Sequence, residues 1–139
     1  MARGDFRRGA EYFRQHLEIA RETGNRLGEG NALGNLGNAY KRLGEYGMAI
    51  VCFERHLEIA RAAGDRRGEG ADLANLSATV ALLGNVRDAL TYAAAAIQIF
   101  ERIEDPRVEQ VRAQAAEWGR SIDADNQDTT DAGSILPSE

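Results

Sequence analysis

The residues best suited to chemistry are the two histidines, His16 and His56, which lie forty residues apart inside the same hexapeptide, HLEIAR. An imidazole can act as a base or bind a metal when a second catalytic or ligating group accompanies it. No pattern of Cys or acidic residues around them completes a metal site, and no nucleophile, base and orienting group can be assembled from the chain. We therefore predict that both imidazoles pack at the core or at a groove edge, with no catalytic residue and no metal site.

Two further segments share only part of a ligand-binding motif. GEGNALGNLG, at 28–37, is rich in glycine but lacks the Gly-Lys-Ser/Thr end of a phosphate-binding loop. DADNQDTTDAGS, at 123–134, starts like a calcium-binding loop but lacks its central glycine and closing glutamate. The sequence therefore predicts no cofactor.

Charge is unevenly distributed along the chain. Residues 1–122 carry all 17 basic side chains and 17 of the 22 acidic ones, and the other five acidic residues lie in 123–139. A neutral body with an acidic tail matches phosphate backbones poorly, so we expect no nucleic-acid partner. The longest apolar run, YAAAAI, is too short for a membrane span, and no signal peptide is visible. We expect a cytoplasmic protein with no membrane partner, and a flexible tail over 123–139.

The elements that position these residues repeat along the chain. Residues 4–43 laid over 44–83 agree at 17 of 40 positions, and a weaker third copy follows. A period of this length indicates stacked supersecondary units. Within one period, Leu33, Leu36, Tyr40 and Leu43 form an apolar stripe at helical spacing, and Gly44 suits a helix end. We predict six antiparallel helices at about 6–23, 27–43, 46–63, 67–83, 86–103 and 106–121, with Asp105 as a cap and Pro106 in the first helical position of the last.

The segment LGNAY, followed by Gly44, Tyr46, Ala49 and Phe53, resembles the tetratricopeptide repeat (TPR). The forty-residue spacing is similar to the long-repeat class of LGN/Pins-type adaptors and to bacterial TPR signalling arrays. The resemblance implies an all-α solenoid of TPR helix hairpins over residues 1–122. It divides them into the second helix of an incomplete first repeat (4–25), two repeats (26–65 and 66–105) and a capping helix (106–122).

In that family the first helices of successive repeats line a concave groove that holds a peptide. On the first helix of the 26–65 repeat, four polar residues share one face, opposite the apolar stripe: Asn31, Asn35, Asn38 and Arg42. Asn75 and Leu82 follow in register on the next first helix, and Trp118 lies on the last helix. Asn side chains both donate to and accept from a peptide backbone, and Arg42 could bind a carboxylate. These seven residues are the candidate groove.

Two functions remain open from the sequence. The first is a non-enzymatic adaptor that binds a protein or peptide partner in the concave groove. The second is a structural protein that self-associates, for example as a homodimer, through the incomplete first repeat, where Phe6, Tyr12 or Phe13 would be partly exposed. The recurrent HLEIAR is scaffold in both.

Overall fold

The computed structural model describes the backbone of residues 3–134 and the side chains of residues 3–127. Over this range the chain forms helices without strands: α1 (Arg3–Glu22), α2 (Arg26–Arg42), α3 (Tyr46–Ala63), α4 (Arg66–Leu82), α5 (Val86–Arg102) and α6 (Val108–Ser134). Each helix packs against the next one along the chain, and the short turns make neighbouring helices antiparallel. The predicted all-α solenoid of helix hairpins is confirmed.

The turns recur every twenty residues, twice as often as the sequence repeat. Gly24, Gly44, Gly64 and Gly84 each follow a helix with a left-handed φ between 67° and 86°. The residue after each glycine donates its backbone N–H to a helical carbonyl oxygen five residues earlier, at N···O distances of 2.8 to 3.0 Å. This bond satisfies a carbonyl that the helix end would leave free. Glu104 occupies the same place in the fifth turn with φ 56°, although a side chain is strained there.

Polar side chains cap the starts of three helices. Asn25 accepts a hydrogen bond from the backbone N–H of Gly28 at 2.9 Å, and Asp65 accepts one from Gly68 at 3.0 Å. Asn85 does the same for α5. The expectation for Asp105 and Pro106 was wrong, because α6 begins only at Val108. The Asp105 carboxylate instead accepts the backbone N–H of Arg107, two residues on, and so closes a turn before the helix.

The core lies where the apolar stripe predicts it. Leu33, Leu36, Tyr40 and Leu43 are all buried between α2 and its neighbours. Fully buried Phe53 of α3 packs directly on α2 at Gly37, where an added Cβ would lie 2.7 Å from the ring. Glycine at 37 therefore lets these two helices approach closely.

Two expectations differ from the structure. His16 does not pack in the core; it is exposed on α1 beside Tyr12, with ring centroids 5.1 Å apart. Ala32 stands where Asp72 stands in the next repeat, so no carboxylate anchors His16 between helices. The last helix also continues to Ser134, beyond its predicted end near 121. The flexibility expected for 123–139 stays a prediction, and residues 135–139 lie outside the described part of the chain.

Candidate protein-binding groove

The first helices of successive hairpins, α2, α4 and α6, face one shared cavity of about 240 Å³, which we call the α4 groove. One face of α4 forms its floor, Lys41 of α2 lies on one side, and α6 lies on the other. Its lining residues are Lys41, Ala71, Ala74, Asn75, Ala78, Phe100, Arg107, Gln110, Val111 and Gln114. Among them are two cationic side chains, Lys41 and Arg107, and three amides, Asn75, Gln110 and Gln114.

The floor of the α4 groove consists of small side chains, which leave it open. Ala71, Ala74 and Ala78 follow one face of α4 at helical spacing, and each projects only a methyl group toward the cavity. Asn75 lies among them and is half-buried. A surface of methyl groups with one amide allows another polypeptide backbone to approach closely and to find a hydrogen-bonding partner.

Lys41 brings a positive charge to the rim of the α4 groove. Its side chain is half-buried, and its pKa is lowered, chiefly by burial and secondarily by the adjacent Arg42. Within residues 3–127 no carboxylate forms an ion pair with its ammonium group. A half-buried ammonium without an acidic partner has lost hydration that a ligand carboxylate would replace.

Arg107, the second cation of the α4 groove, is already paired. Its Nη2 lies 2.7 Å from Asp105 Oδ2 and its Nε lies 3.0 Å from Oδ1, and this pairing lowers the pKa of Asp105 to about 2. The guanidinium also lies 4.8 Å from the centre of the Phe100 ring. These contacts hold Arg107 in place, so it shapes the groove wall and leaves Lys41 as the available cation.

The structure places the seven predicted groove residues in several environments. Asn75 lines the α4 groove. Asn35 and Asn38 are exposed on α2, and Asn31 lines a different cavity next to His56. Arg42 is exposed, and its guanidinium carbon lies 5.8 Å from the centre of the Phe6 ring of α1.

The last two predicted residues lie away from the floor of the groove. Leu82 is exposed at the end of α4, whereas half-buried Trp118 packs against the core. Asn75 is thus the predicted residue that the structure brings together with Lys41 and α6.

Sequence reasoning missed Lys41, Gln110 and Gln114. Gln110 and Gln114 are four residues apart and flank Val111, so helical spacing alone could have indicated a polar face on α6. Lys41 could not be found in the same way. Its counterpart forty residues later is Ala81, so the repeat gives no signal for a charge at this position.

The described residues lack a cluster for a metal ion, and burial disfavours a reactive thiol among them. No group of three or more His, Cys, Asp and Glu side chains could hold a metal ion among them. Cys52 is buried, and burial raises the pKa of its thiol, which disfavours the reactive thiolate. No helix in the same part of the chain is long and apolar enough to cross a membrane.

Comparison with known proteins identifies the repeat. Residues 1–62 match the family model described as tetratricopeptide repeat. This match, which covers 62 of the 139 residues, supports a tetratricopeptide repeat assignment for that part of the chain. A segment of 45 residues is also 49% identical to human G-protein-signaling modulator 1. This segment makes up 32% of this chain and 7% of that protein. Tetratricopeptide repeats generally mediate protein–protein interactions.

Two solved structures share the fold of this chain. BtubC (BKLC) from P. vanneervenii superposes with a TM-score of 0.74 at 23% identity, over 85% of this chain and 49% of that one. A signal transduction ATPase with numerous domains (STAND) that has a tetratricopeptide repeat sensor, from Pyrococcus horikoshii, gives a TM-score of 0.70 at 22% identity, over 90% of this chain and 22% of that one. The chain therefore spans half or less of the length of these relatives.

Proposed function

We propose that this chain is a non-enzymatic adaptor that binds a peptide segment of a partner protein in the α4 groove. The observation that carries this proposal is the alanine floor of α4 between half-buried Lys41 on one side and Gln110 and Gln114 on the other. A groove with a small apolar floor and amide walls suits an extended backbone, whose N–H and C=O groups need partners on both sides.

The polar groups of the α4 groove have two roles in this proposal: the amides bind the peptide backbone, and Lys41 binds an acidic side chain. Asn75, Gln110 and Gln114 exchange hydrogen bonds with the backbone of the bound peptide, each worth about 0.5–1.5 kcal/mol net. The Lys41 ammonium pairs with an acidic side chain of the peptide, a charge-assisted bond of about 1.5–3 kcal/mol. The partner segment should therefore carry at least one Asp or Glu next to small residues that fit against the alanine floor.

The exposed amides of α2 extend the same surface. In the forty-residue register, Asn31, Asn35 and Asn38 occupy the places that Ala71, Asn75 and Ala78 occupy on α4. A peptide longer than the α4 groove would therefore continue over α2 along Asn35 and Asn38, whereas Asn31 lines the separate cavity beside His56. Arg42, which packs over Phe6, contributes at the edge of this surface rather than at its centre.

Selection from a random peptide library displayed on phage, followed by calorimetry with the enriched peptide, tests the proposal. We expect an acidic consensus and a loss of affinity of tenfold or more in both Lys41→Ala and Asn75→Ala. Ala78→Leu should weaken binding similarly because the larger side chain fills the floor. Gln98→Ala, an exposed change on α5, is the matched control and should bind as the unmodified chain does.

Helical circular dichroism of each variant separates lost binding from lost folding. An enriched peptide that binds all the folded variants equally well would place its site elsewhere. A consensus without acidic residues would refute the role assigned to Lys41.

A second candidate function, self-association through the first unit, has its own observation. Tyr12 and Ile19 of α1 are each 58% exposed, and an apolar cavity of about 280 Å³ lies between α1 and α3 with Met48 and Val51 at its rim. Burying these side chains against a second copy would remove apolar surface from water. Sedimentation equilibrium tests this candidate: Tyr12→Ser with Ile19→Ser should convert a dimer to a monomer, whereas a chain that is monomeric throughout would exclude it.

A further inference from the structure

A second cavity, of about 210 Å³, lies between α2 and α3 and is separate from the α4 groove. We call it the His56 cavity. Most of its lining is apolar or small: Leu27, Gly30, Ile59, Ala60 and Ala63. An apolar cavity of about 150 Å³ in a protein core is large enough to bind one benzene molecule. The His56 cavity therefore has room for one aromatic ring.

The charged side chains around the His56 cavity already have partners. A hydrogen bond joins Nδ1 of His56 to Oδ2 of Asp72, which is only 3% exposed. Arg26 forms an ion pair with Glu29 at 3.5 Å, and the carboxylate of Asp65 caps α4. A neutral ligand would therefore cover these groups without leaving an unpaired charge away from water. This pairing favours a neutral, apolar group as the ligand of the cavity.

The hairpin of α4 and α5 shows which group fits at the corresponding place. In the forty-residue register, Phe100 stands where Ala60 stands, and Gly70 is the counterpart of Gly30. The fully buried Phe100 ring packs directly on Gly70, where an added Cβ would lie 2.6 Å from it. At Gly30 the nearest atoms to an added Cβ are those of the His56 ring, at 3.5 Å. The place that a phenylalanine ring fills between α4 and α5 is thus part of a cavity between α2 and α3.

Two further differences between these hairpins add space and apolar surface to the His56 cavity. Ala63 stands where Ile103 packs against the core, so a second large side chain is replaced by a methyl group. Leu27 stands where the charged Arg67 stands in the next repeat, and it is 77% exposed. Covering Leu27 with a ligand would remove apolar surface from water. Both exchanges therefore favour an apolar ligand that comes from outside the hairpin.

We propose that the His56 cavity binds the side chain of a phenylalanine residue exposed on a partner protein. The ring takes the place that Phe100 takes between α4 and α5, against Ile59, Ala60 and the edge of the His56 imidazole. The amide of Asn31, which is exposed at the same cavity, exchanges hydrogen bonds with the backbone that carries the ring. This site is independent of the α4 groove and would bind its ligand whether or not a peptide occupies that groove.

Histidine NMR on the full chain tests this proposal, because a bound aromatic ring shifts the signals of the protons beside it. Titration with a neutral pentapeptide, acetyl-Ala-Ala-Phe-Ala-Ala amide, should shift the ring-proton signals of His56. The signals of His16, from the identical hexapeptide on the surface of α1, should not move. The same peptide with alanine in place of its phenylalanine should bind at least tenfold more weakly.

Substitutions in α2 and α3 test the cavity itself. Gly30→Ala adds a methyl group to the wall at an ordinary contact distance from His56, and we expect it to weaken peptide binding tenfold or more. Gly34→Ala, one turn further along α2 and outside the lining, is the matched control and should bind as the unmodified chain does. His56→Ala combined with Ala60→Phe reproduces the residues of the next repeat and should abolish binding, because the chain's own ring then fills the place.

Saturation-transfer NMR observed on the peptide measures binding in every variant, and circular dichroism shows whether each one is folded. Benzyl alcohol binding as tightly as the phenylalanine peptide would overturn the assignment to a protein side chain and indicate a free aromatic ligand. Equal binding of the alanine peptide, equal shifts at His16, or unchanged binding in folded Gly30→Ala would each overturn the proposal.

Discussion

The 26–65 and 66–105 repeats solve the same packing problem with a large ring at different turns of the second helix. In the 26–65 repeat, Phe53 near the middle of α3 packs on Gly37. In the 66–105 repeat its counterpart is Ala93, and the ring is supplied by Phe100 near the end of α5, where it packs on Gly70. Each hairpin thus has one phenylalanine packed against one glycine, about two helical turns apart in the two repeats.

The difference teaches that the array requires interlocking volumes rather than a particular residue at each position. Protein interiors are close-packed, so a ring at a new place along the helix requires a small residue facing it there, and a larger residue can face the place without a ring. Ser77 stands at the place of Gly37 because Ala93 leaves room for a side chain. At the other end, Ala60 leaves room beside Gly30, and there the half-buried His56 and its cavity are found.

Removal of either ring should have the largest effect. We expect Phe53→Ala and Phe100→Ala each to lower the free energy of unfolding by about 3–5 kcal/mol, because both side chains are fully buried and truncation leaves a cavity. Urea denaturation followed by circular dichroism measures the change. If either substitution lowers the free energy of unfolding by less than about 1 kcal/mol, Phe53 and Phe100 do not have equivalent roles in the two repeats.

The glycine opposite Phe53 should show the next largest effect. Gly37→Ser should lower the free energy of unfolding by about 1–3 kcal/mol, because the new Cβ meets the Phe53 ring and forces both helices apart. In a Phe53→Ala background, which reproduces the Ala93 and Ser77 pair of the next repeat, the serine should have a much smaller cost. A double-mutant cycle checks this coupling, and additive effects would contradict it.

Substitutions in the turns, which recur every twenty residues, should have smaller effects on the free energy of unfolding. Glu104→Gly should raise the free energy of unfolding by about 1 kcal/mol, because Glu104 holds a left-handed φ that a side chain disfavours. Gly84→Ala, at the equivalent place of the preceding turn, should lower it by a similar amount. Thermal or urea unfolding of both variants checks the pair, and an unchanged Glu104→Gly protein would show that the fifth turn is not strained.

The His56–Asp72 pair should produce the smallest effect, a dependence of stability on pH. The pKa of His56 is raised in the folded chain by the Asp72 carboxylate, so the contribution of the pair is fully present below about pH 6.5, the ordinary value for His. It is lost as pH rises through the higher pKa of the folded state. Urea denaturation between pH 5.5 and 8.5 measures the slope.

His16→Gln is the matched control for this pH dependence, because His16 lies in the same hexapeptide without a carboxylate partner. It should retain the slope of the unmodified chain, whereas His56→Gln should flatten it. A slope that survives in His56→Gln would assign the pH dependence to other groups.

Much of the fold follows from local pattern. The forty-residue repeat, the apolar stripe of α2 and the glycines at the turns were readable because helical spacing and left-handed φ act within a few residues of the chain. The sequence also indicated Asn75 from helical spacing, and this residue lines the α4 groove, although its role in binding stays a prediction. Contacts between side chains on different helices could not be predicted from the sequence. The placement of Lys41 opposite Gln110 and Gln114 is an example.

The sequence by itself determined that this chain is a stack of TPR hairpins, because periodicity and turn chemistry are short-range properties. Only the tertiary structure decided that His56 meets Asp72, sixteen residues away on the next helix, whereas His16 in the same hexapeptide lies on the surface. Two identical hexapeptides differ because a side chain's environment is set by the residues that pack against it from neighbouring helices. One such difference here is Ala32 in the first case where Asp72 stands in the next repeat.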